Sequence, residues 1–154
     1  MSILLYLMRH GEAEPAFSTD SARRLTARGI SQSQSVVQDF IVRRPQIQKA
    51  VMSPFARAQE TAAIIEKSFD NMVFATELKL TPEGDVNALL SSIESFNVPS
   101  LLLVSHNPLM SKLLSLLVNG NLHNPMIMGT SHLACVSMDV VAPGCATLEY
   151  LLEP

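Results

Sequence analysis

Ile3-Leu4-Leu5-Tyr6-Leu7-Met8, followed at once by Arg9-His10, is the stretch that decides how this chain folds. Six apolar residues fall far short of the roughly 20 needed to cross a membrane. They also lack the basic leader of a signal peptide. An unbroken apolar run of this length reads as a strand buried on both faces. Such strands belong to mainly parallel sheets covered by helices, so the run points to an α/β class. The abrupt change to Arg9-His10 then puts two polar side chains at the strand's carboxyl end, where open α/β sheets bind their ligands.

Working outward, strands and helices alternate. Thr26 is placed to cap a helix with apolar positions Ile30, Val37, Phe40 and Ile41, stopping before Pro45. Lys49–Met52 reads as a short buried strand. Ser53-Pro54 reads as a cap and first-turn proline for a helix reaching about Ser68. Val73–Ala75 is a short strand. Thr81 or Asp85 caps a helix with Val86, Leu89, Leu90, Ile93 and Phe96 on one stripe. Leu101–Val104 is a strand. Asn107-Pro108 opens a helix that runs through Val118 and ends at Asn119-Gly120. Leu133–Val141 and Cys145–Leu151 form an antiparallel pair around Pro143-Gly144. The expected architecture is a three-layer αβα sandwich, its central sheet mostly parallel with an antiparallel C-terminal strand. It forms one domain over residues 1–154, with no insertion to act as a lid.

Composition agrees with a packed domain. Apolar residues are 47% of the 154 and charged residues only 16%, below the roughly 25% of an average chain and against disorder. A net charge of −3 has the wrong sign for a general nucleic-acid binder. Aromatic residues are 5%, without Trp, which disfavours a base-stacking platform. The two Cys make no disulfide framework, and Cys135 and Cys145 read as small core residues on the last strands. A cytoplasmic protein with no membrane partner is expected; oligomeric state is not legible. Charge is uneven: residues 1–79 carry ten of the 11 basic groups and eight of the 14 acidic ones. That pattern fits either ordinary surface scatter or arginines gathered around an anion.

Three strand ends carry polar groups to one edge: Arg9-His10, Ser53 with Arg57, and Ser105-His106. Two guanidiniums suit a phosphoryl group, because each offers planar paired donors to its oxygens. A histidine between them is expected to stay neutral, with a lone pair able to attack phosphorus. A second histidine can donate to the charge developing on the phosphoryl oxygens. Helix N-termini after Ser53 and His106 would add backbone donors. Acidic clusters with metal-ligand spacing do not occur, so neither a metal nor any other cofactor is implied. Thr130 and Ser131, just before the fifth strand, could approach the same edge. His123 and His132 lie outside these segments.

The same residues resemble the landmarks of the histidine phosphatase superfamily, the phosphoglycerate-mutase-like fold. Leu7-Met8-Arg9-His10-Gly11-Glu12 resembles its Arg-His-Gly signature, and Leu25-Thr26 with Gly29 its second landmark. Ser53-Pro54-Phe55-Ala56-Arg57-Ala58-Gln59-Glu60-Thr61 resembles its Ser-Pro-x-x-Arg-Ala-x-x-Thr block, and Val104-Ser105-His106 its second-histidine block. The Ser53-Pro54-Phe55 version, Leu80-Thr81-Pro82 with Gly84-Asp85, and Ser105-His106-Asn107-Pro108-Leu109 look most like the small SixA-type phosphohistidine phosphatases.

The resemblance implies His10 as a nucleophile that becomes phosphohistidine, Arg9 and Arg57 as phosphate-pocket arginines, and His106 as a further phosphoryl contact. It implies Gly11 as a backbone position packed against the nucleophile. Asp20 and Arg23 would be loop residues near the site, although Arg23-Arg24 leaves the register open. Ser53 is a possible substrate contact. The general acid of larger members has no clear counterpart; Glu83 and Asp85 come nearest. An alcohol leaving group needs a proton that a labile P–N bond can do without. An unlidded site also suits a side chain displayed on another protein. The implied activity is therefore metal-independent hydrolysis of phosphohistidine on a phosphorelay or phosphotransferase protein. The rivals are a phosphatase for small phosphomonoesters or sugar phosphates, and a phospho-ligand binding module without turnover.

Overall fold

A computed structural model describes residues 2–15 and 18–154. Its six strands are β1 (Ile3–Arg9), β2 (Lys49–Met52), β3 (Phe74–Thr76), β4 (Ser100–Ser105), β5 (Leu133–Met138) and β6 (Ala146–Leu152). Four helices accompany them: α1 (Ala27–Ile41), α2 (Ala56–Glu66), α3 (Val86–Phe96) and α4 (Leu109–Asn119). The sheet order is β3-β2-β4-β1-β5-β6. β3, β2, β4 and β1 pair in parallel, β5 runs antiparallel to β1, and β6 runs antiparallel to β5. β5 is thus the one reversed strand, and it enters the sheet from the edge where β1 and β4 end.

Side-chain alternation on the central strands builds both cores. Leu5 and Leu7 of β1, with Leu101 and Leu103 of β4, face α3 and α4 and pack on Leu89, Ile93, Leu109 and Leu113. Tyr6, Met8, Leu102 and Val104 face the other way, onto Val36, Val37 and Phe40 of α1 and Ala58, Ala62 and Ile65 of α2. The αβα sandwich follows from burial on both faces of these strands. Between β3 and β4 the chain forms only a 3-10 turn, Leu78–Leu80, and α3. No helix among the described residues is long and apolar enough to cross a membrane.

Several local expectations hold and several shift. Thr26 caps α1, its Oγ accepting from Gly29 N at 2.9 Å. Asp85, not Thr81, caps α3 by accepting from Asn87 N at 2.9 Å. Ser53-Pro54 does not open α2. Ser53 Oγ instead accepts from Phe55 N at 3.2 Å, a side-chain turn that delays the helix to Ala56. Asn107 does not cap α4: Pro108 takes that position, and Asn107 Nδ2 donates to Met128 O at 2.7 Å. The last two strands pair over Leu133–Met138 and Ala146–Leu152, with a bulge at Cys135/Val136; β5 stops three residues short of the expected Val141, and β6 is displaced by one residue from Cys145–Leu151. Neither 3-10 turn, Asp20–Ala22 or Leu78–Leu80, has a periodic signal in the sequence.

Candidate active site

Strand register brings the polar residues together. Arg9 lies opposite Ser105, and Met8 opposite Val104, which in turn faces Met52. The residues that follow therefore emerge side by side. His10 N donates to Ser105 O at 2.9 Å, and Ser53 N donates to Val104 O at 3.0 Å. The reversed β5 closes the far side: Arg9 N donates to His132 O at 3.1 Å and Ser131 N to His10 O at 3.1 Å. The imidazoles of His10 and His106 lie 5.0 Å apart between centroids. His10, His106, Arg57 and Ser53 are all buried.

The hydrogen bonds of His10 define its tautomer. Its Nδ1 sits 2.6 Å from Gly11 O, and a carbonyl only accepts, so Nδ1 carries the proton. Nε2 is left with its lone pair, toward which Arg57 Nε donates at 3.3 Å. The ring is held neutral, its pKa pushed down to about 4. Burial is the main cause. The Gly11 hydrogen bond opposes it, while the charges of Arg57, Arg9 and Arg23 add to it. The neutrality expected from neighbouring arginines is thus present, with desolvation as the larger reason. His106 is held lower still, about 3, again by burial first and then by His10 and Arg57.

Gly11 is fixed by close approach. A Cβ there would lie 2.7 Å from Ser33 Oγ and 2.9 Å from Gly29 O. Its N donates to Thr61 Oγ1 at 3.1 Å, and Thr61 Oγ1 donates to Arg57 O at 2.8 Å. Ser33 Oγ meets Ser131 Oγ at 2.9 Å behind the same turn. The backbone that locks the His10 ring is therefore tied to the helix that carries Arg57.

Arg57 is anchored by Asp20, through Nη1 to its carbonyl at 2.7 Å and Nη2 to its carboxylate at 3.1 Å. Arg23 Nη1 takes the other carboxylate oxygen at 3.0 Å, while Arg24 pairs with Glu60 at 2.9 Å. Of the two neighbouring arginines, Arg23 is thus the one that reaches the Asp20–Arg57 pair. The Arg23 hydrogen bond, aided by Arg57, holds the Asp20 carboxyl below its usual range, so it is an anion. Arg9 Nη1 donates to Met128 O at 3.2 Å, the carbonyl that Asn107 also uses.

Glu83 and Asp85 are not drawn into this cluster. Both are exposed, and Asp85 spends its carboxylate on the cap of α3. The sequence reading assigned no role to Thr61, although its spacing from Arg57 is one helical turn. It missed the Met128 carbonyl altogether, since a backbone acceptor supplied by a loop leaves no residue-type signal. A groove of about 670 Å³ between α1 and α2 is lined by Leu25, Ile30 and Ile64 and lies apart from the histidines.

Two buried nitrogens of the cluster, Arg9 Nε and His106 Nδ1, lack a hydrogen-bond partner among the described residues. Orphaned buried polar groups are costly, and a site that collects them is built to meet a ligand. Two guanidiniums and a neutral nucleophilic imidazole suit an anionic electrophile, and a phosphoryl group fits that description.

Comparison with known proteins bears on the same residues. The family model for the histidine phosphatase superfamily (branch 1) matches residues 5–82. The phosphohistidine phosphatase SixA of Escherichia coli K12 is 31% identical over 155 residues, covering 97% of this chain and 93% of that protein. A SixA homolog from Haemophilus influenzae is 29% identical over 124 residues, covering 72% of this chain and 74% of its own. The structure of the protein histidine phosphatase SixA complexed with tungstate superposes with a TM-score of 0.89 at 28% identity, over 99% of this chain and 97% of that one. The chain belongs to the histidine phosphatase superfamily.

Proposed function

We propose that this protein is a phosphohistidine phosphatase acting on a phosphorylated histidine of another protein, through a covalent phospho-His10 intermediate. The observation that carries the reading is the state of His10: Nδ1–H locked on Gly11 O, Nε2 unprotonated and faced by Arg57 Nε. In the first step Nε2 attacks phosphorus in line and the P–N bond of the substrate breaks. The pair goes to the substrate ring, which leaves as neutral imidazole when its other nitrogen carries a proton. Arg9, Arg57 and His106 hold the phosphoryl oxygens. Water then attacks phospho-His10, the P–Nε2 bond breaks, and the pair returns to Nε2. Both of the water's protons leave with the phosphate or the solvent. Because Gly11 O keeps the proton on Nδ1, His10 itself departs as a neutral ring in this step.

The carboxylates favour a phosphoramidate over an alcohol ester. Expelling an alkoxide requires a proton donor. Asp20, the carboxylate in the cluster, is held ionised by Arg23 and Arg57. Glu83 and Asp85 stand outside it. The short connection between β3 and β4 is consistent with a side chain presented by a folded partner, and the similar SixA is a protein histidine phosphatase; both support a protein substrate. The test is phosphate release, in EDTA, from a phosphohistidine-bearing phosphotransfer domain beside a panel of sugar phosphates. Fast release from the protein alone is expected; preference for a sugar phosphate would overturn the assignment.

A further inference from the structure

Ser53 and His106 are both fully buried, and Ser53 Oγ lies 2.7 Å from His106 Nε2. Two protonation patterns fit that distance. If Nε2–H donates to Ser53, the serine oxygen accepts twice, since Phe55 N already donates to it at 3.2 Å. The serine proton then has no acceptor among the described residues, and the Nδ1 lone pair is stranded too. If Ser53 donates to Nε2, one buried group alone is left over: an Nδ1–H donor. The second pattern strands fewer groups, and the group it strands is the kind that an anion satisfies. A lone pair at Nδ1 would instead repel phosphoryl oxygens.

We infer that Ser53 is a positioning residue: its hydroxyl donates to His106 Nε2, fixes the proton on Nδ1 and makes Nδ1–H the donor that His106 offers to the phosphoryl group. This changes the role expected for Ser53 from the sequence. It does not bind phosphate itself, because its hydroxyl is already spent on Phe55 N and His106 Nε2. Phe55 completes the arrangement, its ring edge-on to His106 at 5.0 Å between centroids, with the Arg57 guanidinium 5.1 Å from its own centroid. The turn from Ser53 to Arg57 thus sets one imidazole and one guanidinium of the site at once. The catalytic part of the inference rests on the function proposed above; the tautomer does not.

The test has two readouts. ¹⁵N-histidine NMR of the ligand-free protein at neutral pH, with His106 assigned by the signals lost in His106→Gln, reports which nitrogen is protonated. A protonated Nδ1 is expected, and a protonated Nε2 would overturn the inference. Ser53→Ala should then mix the two tautomers and lower kcat on the phosphohistidine protein by about tenfold, the worth of one buried hydrogen bond, with KM within about twofold. Ser53→Thr keeps the hydroxyl and should recover most of that loss. The thermal midpoint of each variant reports its fold. A folded Ser53→Ala with unchanged tautomer and unchanged kcat would refute the role. Wild-type protein with Nδ1–H but no phosphohistidine hydrolysis would uphold the tautomer and overturn the proposed function instead.

Discussion

Acid should destabilise this protein through its two site histidines, and His10 lets the effect be isolated. An unfolded imidazole titrates near 6.5, whereas the folded His10 titrates at about 4. Between those values the unfolded chain takes up a proton that the native state refuses. Stability is therefore complete above the unfolded pKa and is lost as the pH falls toward the folded one. A shift of this size corresponds to about 3 kcal/mol over the whole window, and to about 2 kcal/mol by pH 5. The midwindow slope is about 1.2 kcal/mol per pH unit, close to one proton. His10 is 7% exposed, so solvent screening takes little from that figure. His106, held at about 3, adds to the loss with the same sign.

Urea denaturation at pH 7.5, 6 and 5, run on wild type and His10→Gln, separates the two. The fall in unfolding free energy from pH 7.5 to pH 5 should be about 2 kcal/mol smaller in the variant. Parallel losses in both proteins would refute the claim that His10 is buried as the neutral ring.

Other outcomes follow from the same geometry. The acid limb of kcat/KM should fall near pH 4, not near the 6.5 of an ordinary imidazole, because attack needs only neutral His10; a pH–rate profile on a pH-stable substrate analogue checks it. Gly11→Ala places a Cβ 2.7 Å from Ser33 Oγ and 2.9 Å from Gly29 O, and should cost about 1–3 kcal/mol by denaturant titration as well as kcat, since Gly11 O orients the His10 ring. Arg57→Lys should lower kcat/KM by about 100-fold or more, because one ammonium cannot replace a guanidinium bonded at once to His10 and twice to Asp20. Leu103→Ala, at the buried centre of β4, should cost about 2–5 kcal/mol in urea while leaving KM near wild type.

The legible parts of this molecule are those set by periodicity and residue type. The unbroken apolar runs of β1 and β4 dictated a sheet buried on both faces, and Arg9-His10, Ser53 and Ser105-His106 fell at strand ends because strands end where apolar runs end. Boundaries were less legible where side chains compete with the backbone. Ser53 looks like a helix cap, yet its hydroxyl is committed to Phe55 N and His106, so α2 begins later. Asn107 looks like a cap, yet its amide ties the Met128 carbonyl to the site. The choice between Arg23 and Arg24 depends on a 3-10 turn at Asp20 that has no hydrophobic period to announce it. The cause of the depressed His10 pKa was only half readable: the arginines are visible in the sequence, but the burial that outweighs them is a property of the packed fold.

The central claim is that phosphorus passes through His10, and single-turnover trapping tests it most directly. Protein mixed with a radiolabelled phosphohistidine domain and quenched in alkaline detergent should carry the label transiently on the peptide containing His10, and His10→Gln should neither acquire label nor release phosphate. Phosphate release by His10→Gln at the wild-type rate, with no label transferred to either phosphatase, would mean that water attacks the substrate directly and would contradict the account.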